Sequence, residues 1–256
     1  MAHVVRPSPP QRLVYITEVA TRIFGRLGYR RTQMAEVAAE AGMASGAIYT
    51  YVESKEALFH HVIEAGFGQM AEIFPTLPLP TPAAGATLAI ARDGLRRAAE
   101  TPLLRAALDE PKPADVRAEL AAVVEERYAM IERLWPVLAV IERSAADVPG
   151  LEKLYFGRSR QAHFNQLTRY LDRRAASGHL RITPDPSIAS RIVSETIVWF
   201  AWHRHEDRDS ALYDDELAQR GVIDFVVDAF APVAGAPAAR RGQAVTTSSR
   251  TKRPLT

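Results

Sequence analysis

Apolar residues return every three or four positions through most of this chain, with no convincing run of alternating strand residues. That period is the signature of helices with one buried face, which restricts the fold to a bundle of packed helices. Leu13, Ile16, Ala20, Ile23, Phe24 and Leu27 mark a first helix, which Gly28 ends. Thr32 offers a hydroxyl at an N-cap position before a short helix bearing Met34, Val37, Ala38 and Ala41. Gly42 breaks that helix. Ser45 caps another reaching about Tyr51, and Glu53-Ser54-Lys55-Glu56 opens a fourth with Leu58, Phe59, Val62 and Ile63 facing inward.

The prolines at 75, 78, 80 and 82 require an extended segment, the best domain boundary in the chain. Helical segments follow near 84–100, 102–109, 114–146, 151–176, 186–205 and 214–230. Pro136 falls inside the third of these, which predicts a kink or break near Trp135. The expected division is a flexible arm over 1–10, a first domain over 11–70, a larger helical domain over 83–231 and a disordered basic tail over 232–256.

Charge alone decides little. The net charge of +2 divides into +1 over residues 1–70, −4 over the middle and +5 over the tail. A partner must therefore be argued from pattern. The absence of cysteine excludes disulfides, thiolate metal sites and cysteine nucleophiles. The start has no apolar core of a signal peptide, and the longest uncharged run, residues 73–91, is broken by the four prolines. A cytoplasmic protein without membrane contact is expected. For an enzyme nothing marks a nucleophile or its base, and there is no glycine-rich phosphate loop. His60 and Glu64 share a helix face, and His203 and His205 lie two apart, but no third ligand accompanies either pair. No catalytic residue, metal or cofactor is expected.

Residues 33–52, QMAEVAAEAGMASGAIYTYV, carry the functional signal. Small Ala38 and Ala41 let two helices approach, Gly42 can take a positive φ at the turn, and Ile48 and Tyr51 pin the second helix onto the first. This is the arrangement of a helix-turn-helix, whose second helix enters the DNA major groove. The run from Ala20 to Phe59, ATRIFGRLGYRRTQMAEVAAEAGMASGAIYTYVESKEALF, resembles the N-terminal domain of the TetR/AcrR family of transcriptional regulators. Ser177–Ile192 resembles, more weakly, the family's approach to its last two helices.

The resemblance implies an all-α fold: an N-terminal three-helix helix-turn-helix domain plus a larger helical domain for ligand binding and dimerisation. It implies a homodimeric repressor of an operator in double-stranded, palindromic DNA, released by a small-molecule effector. Carried over residue by residue, it places Thr32 beside DNA phosphate and Ala44, Ser45, Gly46 and Ala47 at the start of the recognition helix. Tyr49 and Lys55 fall at phosphate-contacting positions, and Gln33, Thr50 and Tyr51 border the same surface. Two departures stand out. Ala44 and Ala47 cannot hydrogen-bond to bases, and Val52 replaces the usual phenylalanine. In the larger domain an effector pocket is expected among Tyr128, Trp135, Phe156, His163, Phe164, Trp199, Trp202 and His203. A homodimer interface is expected on two helical faces, Ile188, Ile192, Glu195, Trp199 and Trp202 on one helix and Val222, Phe225, Val226 and Phe230 on the next. The alternative is a helical ligand-binding or adaptor protein with weak or no specific DNA binding.

Overall fold

The computed structural model describes residues 8–68, 76–182, 185–210 and 212–231. A head is built from α1 (Pro9–Arg31), α2 (Met34–Glu40), a 3-10 turn (Ser45–Thr50) and α3 (Lys55–Gly66). The body contains α4 (Ala86–Ala98), α5 (Pro102–Asp109), α6 (Val116–Ser144), α7 (Leu151–Tyr155), α8 (Arg158–Ala176), α9 (Pro186–Ala201), a second 3-10 turn (His203–His205) and α10 (Asp215–Phe230). Among the described residues the only β-pairing is an isolated parallel bridge between Val52 and Leu79.

Local chemistry sets the helix starts. Pro9, Pro102 and Pro186 open their helices, where a missing N–H costs nothing. The side chains of Ser54, Asp115, Asp185 and Asp214 accept the otherwise free amides of Ala57, Ala118, Ser187 and Leu217. The body is organised around α6, whose Leu120, Val124, Tyr128, Ile131, Val140 and Ile141 are buried. Two arginines are sealed in the body with partners. Arg174 forks onto Glu119 at 2.7 and 2.8 Å, and Arg204 holds Asp215 and the Phe200 carbonyl.

Four boundaries differ from the sequence reading. Helix α6 runs through Pro136 without leaving helical conformation. The proline deletes one N–H, while buried Leu134, Val137 and Leu138 around it hold the helix in place. The segment 151–176 is two helices, parted at Phe156–Gly157, where the chain folds back so tightly that a Cβ on Gly157 would lie 2.0 Å from the Lys153 carbonyl oxygen. Helix α9 stops at Ala201, since Trp202 takes φ −135 and ψ −70. At the other end α1 starts at Pro9, inside the expected arm. The rest of that arm, with Arg6, and the tail over 232–256 lie outside the described residues.

Besides the packing of α1 and α3 against α4 and α6, two hydrogen-bonded links reach the head close to α2 and its 3-10 turn. Gly28 interrupts α1 at φ 78 and ψ 171, and a Cβ there would lie 2.6 Å from the Arg143 carbonyl oxygen on α6. Past this break the Tyr29 amide donates to Ser144 Oγ and the Arg30 amide to Asp147 Oδ2, each at 3.0 Å. The end of α6 thus satisfies donors that the interrupted helix leaves free. The second link is the proline-rich segment, expected as a boundary. Its described part is bound to the head. The Leu79 amide donates to the Tyr51 carbonyl at 2.8 Å, and Leu79 O accepts from the Glu53 amide at 2.9 Å.

Candidate functional site

Helix α2 closes in a Schellman motif. Met43 N–H donates to the Ala38 carbonyl at 2.9 Å and Gly42 N–H to the Ala39 carbonyl at 3.0 Å, with Gly42 at φ +66. Arg12 of α1 clamps the same turn, its guanidinium donating to the Ala41 carbonyl at 2.6 Å. The chain then enters the 3-10 turn with Ile48 fully buried against the head core, beside Val37 and Ala38. The opposite side of the turn faces solvent. Ala44, Ser45, Gly46, Tyr49 and Thr50 are exposed, with Gln33 exposed nearby in sequence at the start of α2. Ala47 and Tyr51 are half-buried, and Val52 is fully buried, so its substitution for an aromatic residue belongs to packing.

Both expected caps are corrected. The residue preceding α2 is Gln33, and the Thr32 hydroxyl points back to donate to the Gly28 carbonyl at 2.8 Å. Thr32 is 1% exposed, because the break at Gly28 turns it toward α1. The 3-10 turn is preceded by Ala44, whose side chain has no oxygen, and Ser45 is its first residue. The recognition element is also a 3-10 turn rather than an α-helix. The Thr50 hydroxyl donates to the Ala47 carbonyl at 2.7 Å.

Lys55 opens α3 beside this surface. Its ammonium donates to the Arg30 carbonyl at 3.2 Å and sits 4.6 Å from the centre of the Tyr29 ring. Burial holds its pKa below the usual lysine range, against the pull of Glu56 and Asp147. The Tyr29 hydroxyl donates to Glu56 Oε1 at 2.7 Å, which lowers the Glu56 pKa, while burial and that carboxylate raise the phenol. One edge of the head therefore presents an ammonium, fixed in place, together with exposed Arg30 and Arg31.

A cavity of about 120 Å³ lies in the body between α4, α6, α8 and α9. Four expected pocket residues line it: His163, Phe164, Trp202 and His203. The other four lie elsewhere. Tyr128 is fully buried with its hydroxyl on the Phe200 carbonyl, and Trp135 stacks on His205 with ring centres 5.2 Å apart. Phe156 and Trp199 are exposed, placed outward by the break before Gly157 and by the outer face of α9. Helical spacing alone puts Glu195, Trp199 and Trp202 on one face, yet Glu195 and Trp202 line the cavity while Trp199 is exposed. The aromatic pattern gave no sign of Arg127, Glu142 or Ser194, which also line it.

The expected dimer faces are divided in the same way. Ile188, Ile192 and Trp199 on α9 and Phe225 on α10 are exposed. Trp202, Val222, Val226 and Phe230 are buried within the body core. Leu217, exposed on α10, joins Phe225 along an apolar groove of about 790 Å³ that Phe200 and Tyr213 also line. Among the described residues no group of three metal-ligating side chains is placed to hold a metal. His60 Nδ1 instead lies 3.0 Å from the Thr87 hydroxyl. No described helix is long and apolar enough to cross a membrane.

Residues 16–62 match the family model of bacterial regulatory proteins, tetR family. The head is similar to the tetR family of bacterial regulatory proteins. The match spans most of α1, all of α2, the turn clamped by Arg12, the recognition turn and most of α3. YfiR of Bacillus subtilis (strain 168), an uncharacterized HTH-type transcriptional regulator, is 33% identical over 66 residues, 26% of this chain and 32% of that protein. The similarity thus spans about a third of that relative's length. The ketosteroid transcriptional regulator KstR2 of Mycobacterium tuberculosis superposes with a TM-score of 0.51 at 16% identity, over 91% of this chain and 99% of that one. The tetR-family regulator PfmR of Thermus thermophilus gives 0.47 at 20% identity, over 83% and 97%. The likeness to KstR2 extends the shared architecture from the tetR-type head into the helical body.

Proposed function

We propose that this chain is a DNA-binding transcriptional repressor, working as a homodimer whose helical body holds a small-molecule effector that releases it from its operator. The observation that carries this reading is the recognition turn. Its inner side is anchored by Ile48 while Ser45, Tyr49 and Thr50 are exposed on the outer side, with Gln33 exposed at the start of α2. Those side chains can reach a groove or a phosphate without disturbing the head core.

Lys55 suits a phosphate. One of its three donors is on the Arg30 carbonyl, which leaves two for DNA oxygens. The exposed apolar residues of α9 and α10 support the dimer, since a four-helix contact between two copies would cover them. Two heads related by a two-fold axis read a palindrome. Release requires the effector to bind the DNA-incompetent conformer more tightly, by about 1–3 kcal/mol of coupling.

Titration of the full chain against a fragment of its own promoter and against scrambled DNA, at several salt concentrations, tests this. Binding should favour the promoter fragment. Lys55→Ala should weaken binding to both sequences alike and flatten the salt slope by roughly one unit. Failure to retard either DNA would leave a helical ligand-binding protein without DNA recognition. An unchanged salt slope in Lys55→Ala, with the oligomer intact, would remove Lys55 from the phosphate surface.

A further inference from the structure

The body cavity contains polar atoms that the protein itself leaves without partners. His163, Ser194 and Trp202 are 5%, 5% and 4% exposed and line the same cavity. Both ring nitrogens of His163, the Ser194 hydroxyl and the Trp202 indole nitrogen have no hydrogen-bond partner. Buried polar atoms are nearly always paired, so three such side chains on one cavity call for a common partner. From the reading of the body as the effector-binding half, we infer that the cavity takes an uncharged, ring-sized molecule carrying a hydroxyl group, of which phenol is the simplest.

Size, polarity and charge each contribute. An apolar protein cavity of roughly 150 Å³ accommodates one benzene ring. A cavity of about 120 Å³ therefore suits a single ring rather than a long acyl chain or a nucleotide. Its apolar walls are Leu95, Met130, Ile131, Leu138 and Val198. The polar set is mixed. The Trp202 indole only donates, neutral His163 donates from one nitrogen and accepts at the other, and the Ser194 hydroxyl does either. A hydroxyl ligand can accept and donate at once. A carboxylate or ketone only accepts, an ammonium only donates, and a hydrocarbon does neither.

The charge balance excludes strong ions. Burial, reinforced by Arg127, keeps His163 neutral, with its pKa pushed down to about 3. The cavity is also lined by Arg127 and Glu142 of α6 and by Glu195 of α9. An ion of either sign would lose hydration and meet a like charge on the wall.

The chain contains three tryptophans, so full-length protein labelled with ¹⁵N-tryptophan gives three indole signals. Trp202→Phe assigns one of them. Phenol should move the Trp202 signal while Trp135 and Trp199 stay in place. Toluene should bind about tenfold more weakly than phenol, for want of the hydrogen bonds, and benzoate and benzylamine no better than toluene. Ser194→Ala and His163→Gln should each shrink the phenol preference severalfold, and the second keeps a polar group of similar reach should an apolar replacement fail to fold. Equal binding of toluene and phenol, preference for benzoate or benzylamine, or a still Trp202 signal up to saturating phenol would each overturn the assignment. Operator affinity is read in a separate titration. Phenol bound at Trp202 with unchanged DNA affinity would overturn the effector reading and leave the ligand class standing.

Discussion

Replacing Gly28 by alanine should loosen the head from the body. Gly28 sits at φ 78 and ψ 171, a region that only glycine enters freely, and forcing another residue there costs roughly 1–3 kcal/mol. The added Cβ would also lie 2.6 Å from the Arg143 carbonyl oxygen, a backbone atom of α6 that has no rotamer to swing away. Relief requires α1 to lift from α6. That sacrifices the amide bonds from Tyr29 to Ser144 and from Arg30 to Asp147, roughly 0.5–1.5 kcal/mol each. The expected loss is about 2–6 kcal/mol. Gly42→Ala is the matched control. Its φ is +66, yet nothing lies within 4 Å of the added Cβ, so it should cost only the backbone term of about 1–2 kcal/mol. Urea unfolding of both variants at one protein concentration reads the difference directly. Equal losses for Gly28→Ala and Gly42→Ala would refute the argument that α6 blocks the Gly28 position.

Tyr49→Phe removes one exposed hydroxyl from the recognition turn and should weaken promoter binding by about 0.5–1.5 kcal/mol with unchanged folding, as measured by titration and circular dichroism. Phe225→Glu puts a charge on the exposed apolar face of α10 and should convert the dimer to monomer in light scattering. A persistent dimer would move the interface elsewhere. His163 is held neutral with a pKa of about 3, so the unfolded chain takes up its proton first and acid destabilises the fold. That contribution is complete above about pH 6.5 and declines by about 1.4 kcal/mol per pH unit down to about pH 3. Between pH 7 and 5 the wild type should therefore lose about 2 kcal/mol more than His163→Gln in urea unfolding.

The sequence was legible where one helix determines its own environment. Leu13, Ile16, Ala20, Ile23 and Phe24 are buried as their spacing demands, and α3 opens within the expected Glu53–Glu56 stretch, capped there by Ser54. The turn at Gly42 was readable too, because a positive φ there requires no distant partner. Illegibility begins where a second element decides. Thr32 looks like a cap in sequence, but the break at Gly28 rotates its hydroxyl back onto α1. Arg12 and Asp147 carry no local mark, since their partners lie 29 and 117 residues away. In the body, aromatic content identified half of the expected pocket and missed its polar walls. A helix face shows which residues are inward, and only the neighbouring helices decide whether inward means core or cavity.

The placement of the two head–body links bears on how a filled cavity could act on the recognition turn. Leu95 and Ala98 of α4 form one part of the cavity wall, and Met130, Ile131, Leu138 and Glu142 of α6 form another. The extended segment leading into α4 is bonded through Leu79 to Tyr51 and Glu53, at the C-terminal end of the recognition turn. The last turn of α6 and the residues beyond it bond Tyr29 and Arg30, immediately before α2. A ligand that spreads α4 from α6 therefore pulls on the helix-turn-helix from both of its ends. The link through α6 consists of two hydrogen bonds, and the link through the extended segment of four, since the Thr81 amide also donates to Glu53 Oε2 and the Thr81 hydroxyl lies 2.8 Å from Ser54 Oγ. Each bond is worth roughly 0.5–1.5 kcal/mol, so the gain or loss of two of them matches the roughly 1–3 kcal/mol that typically couples an effector to a second site.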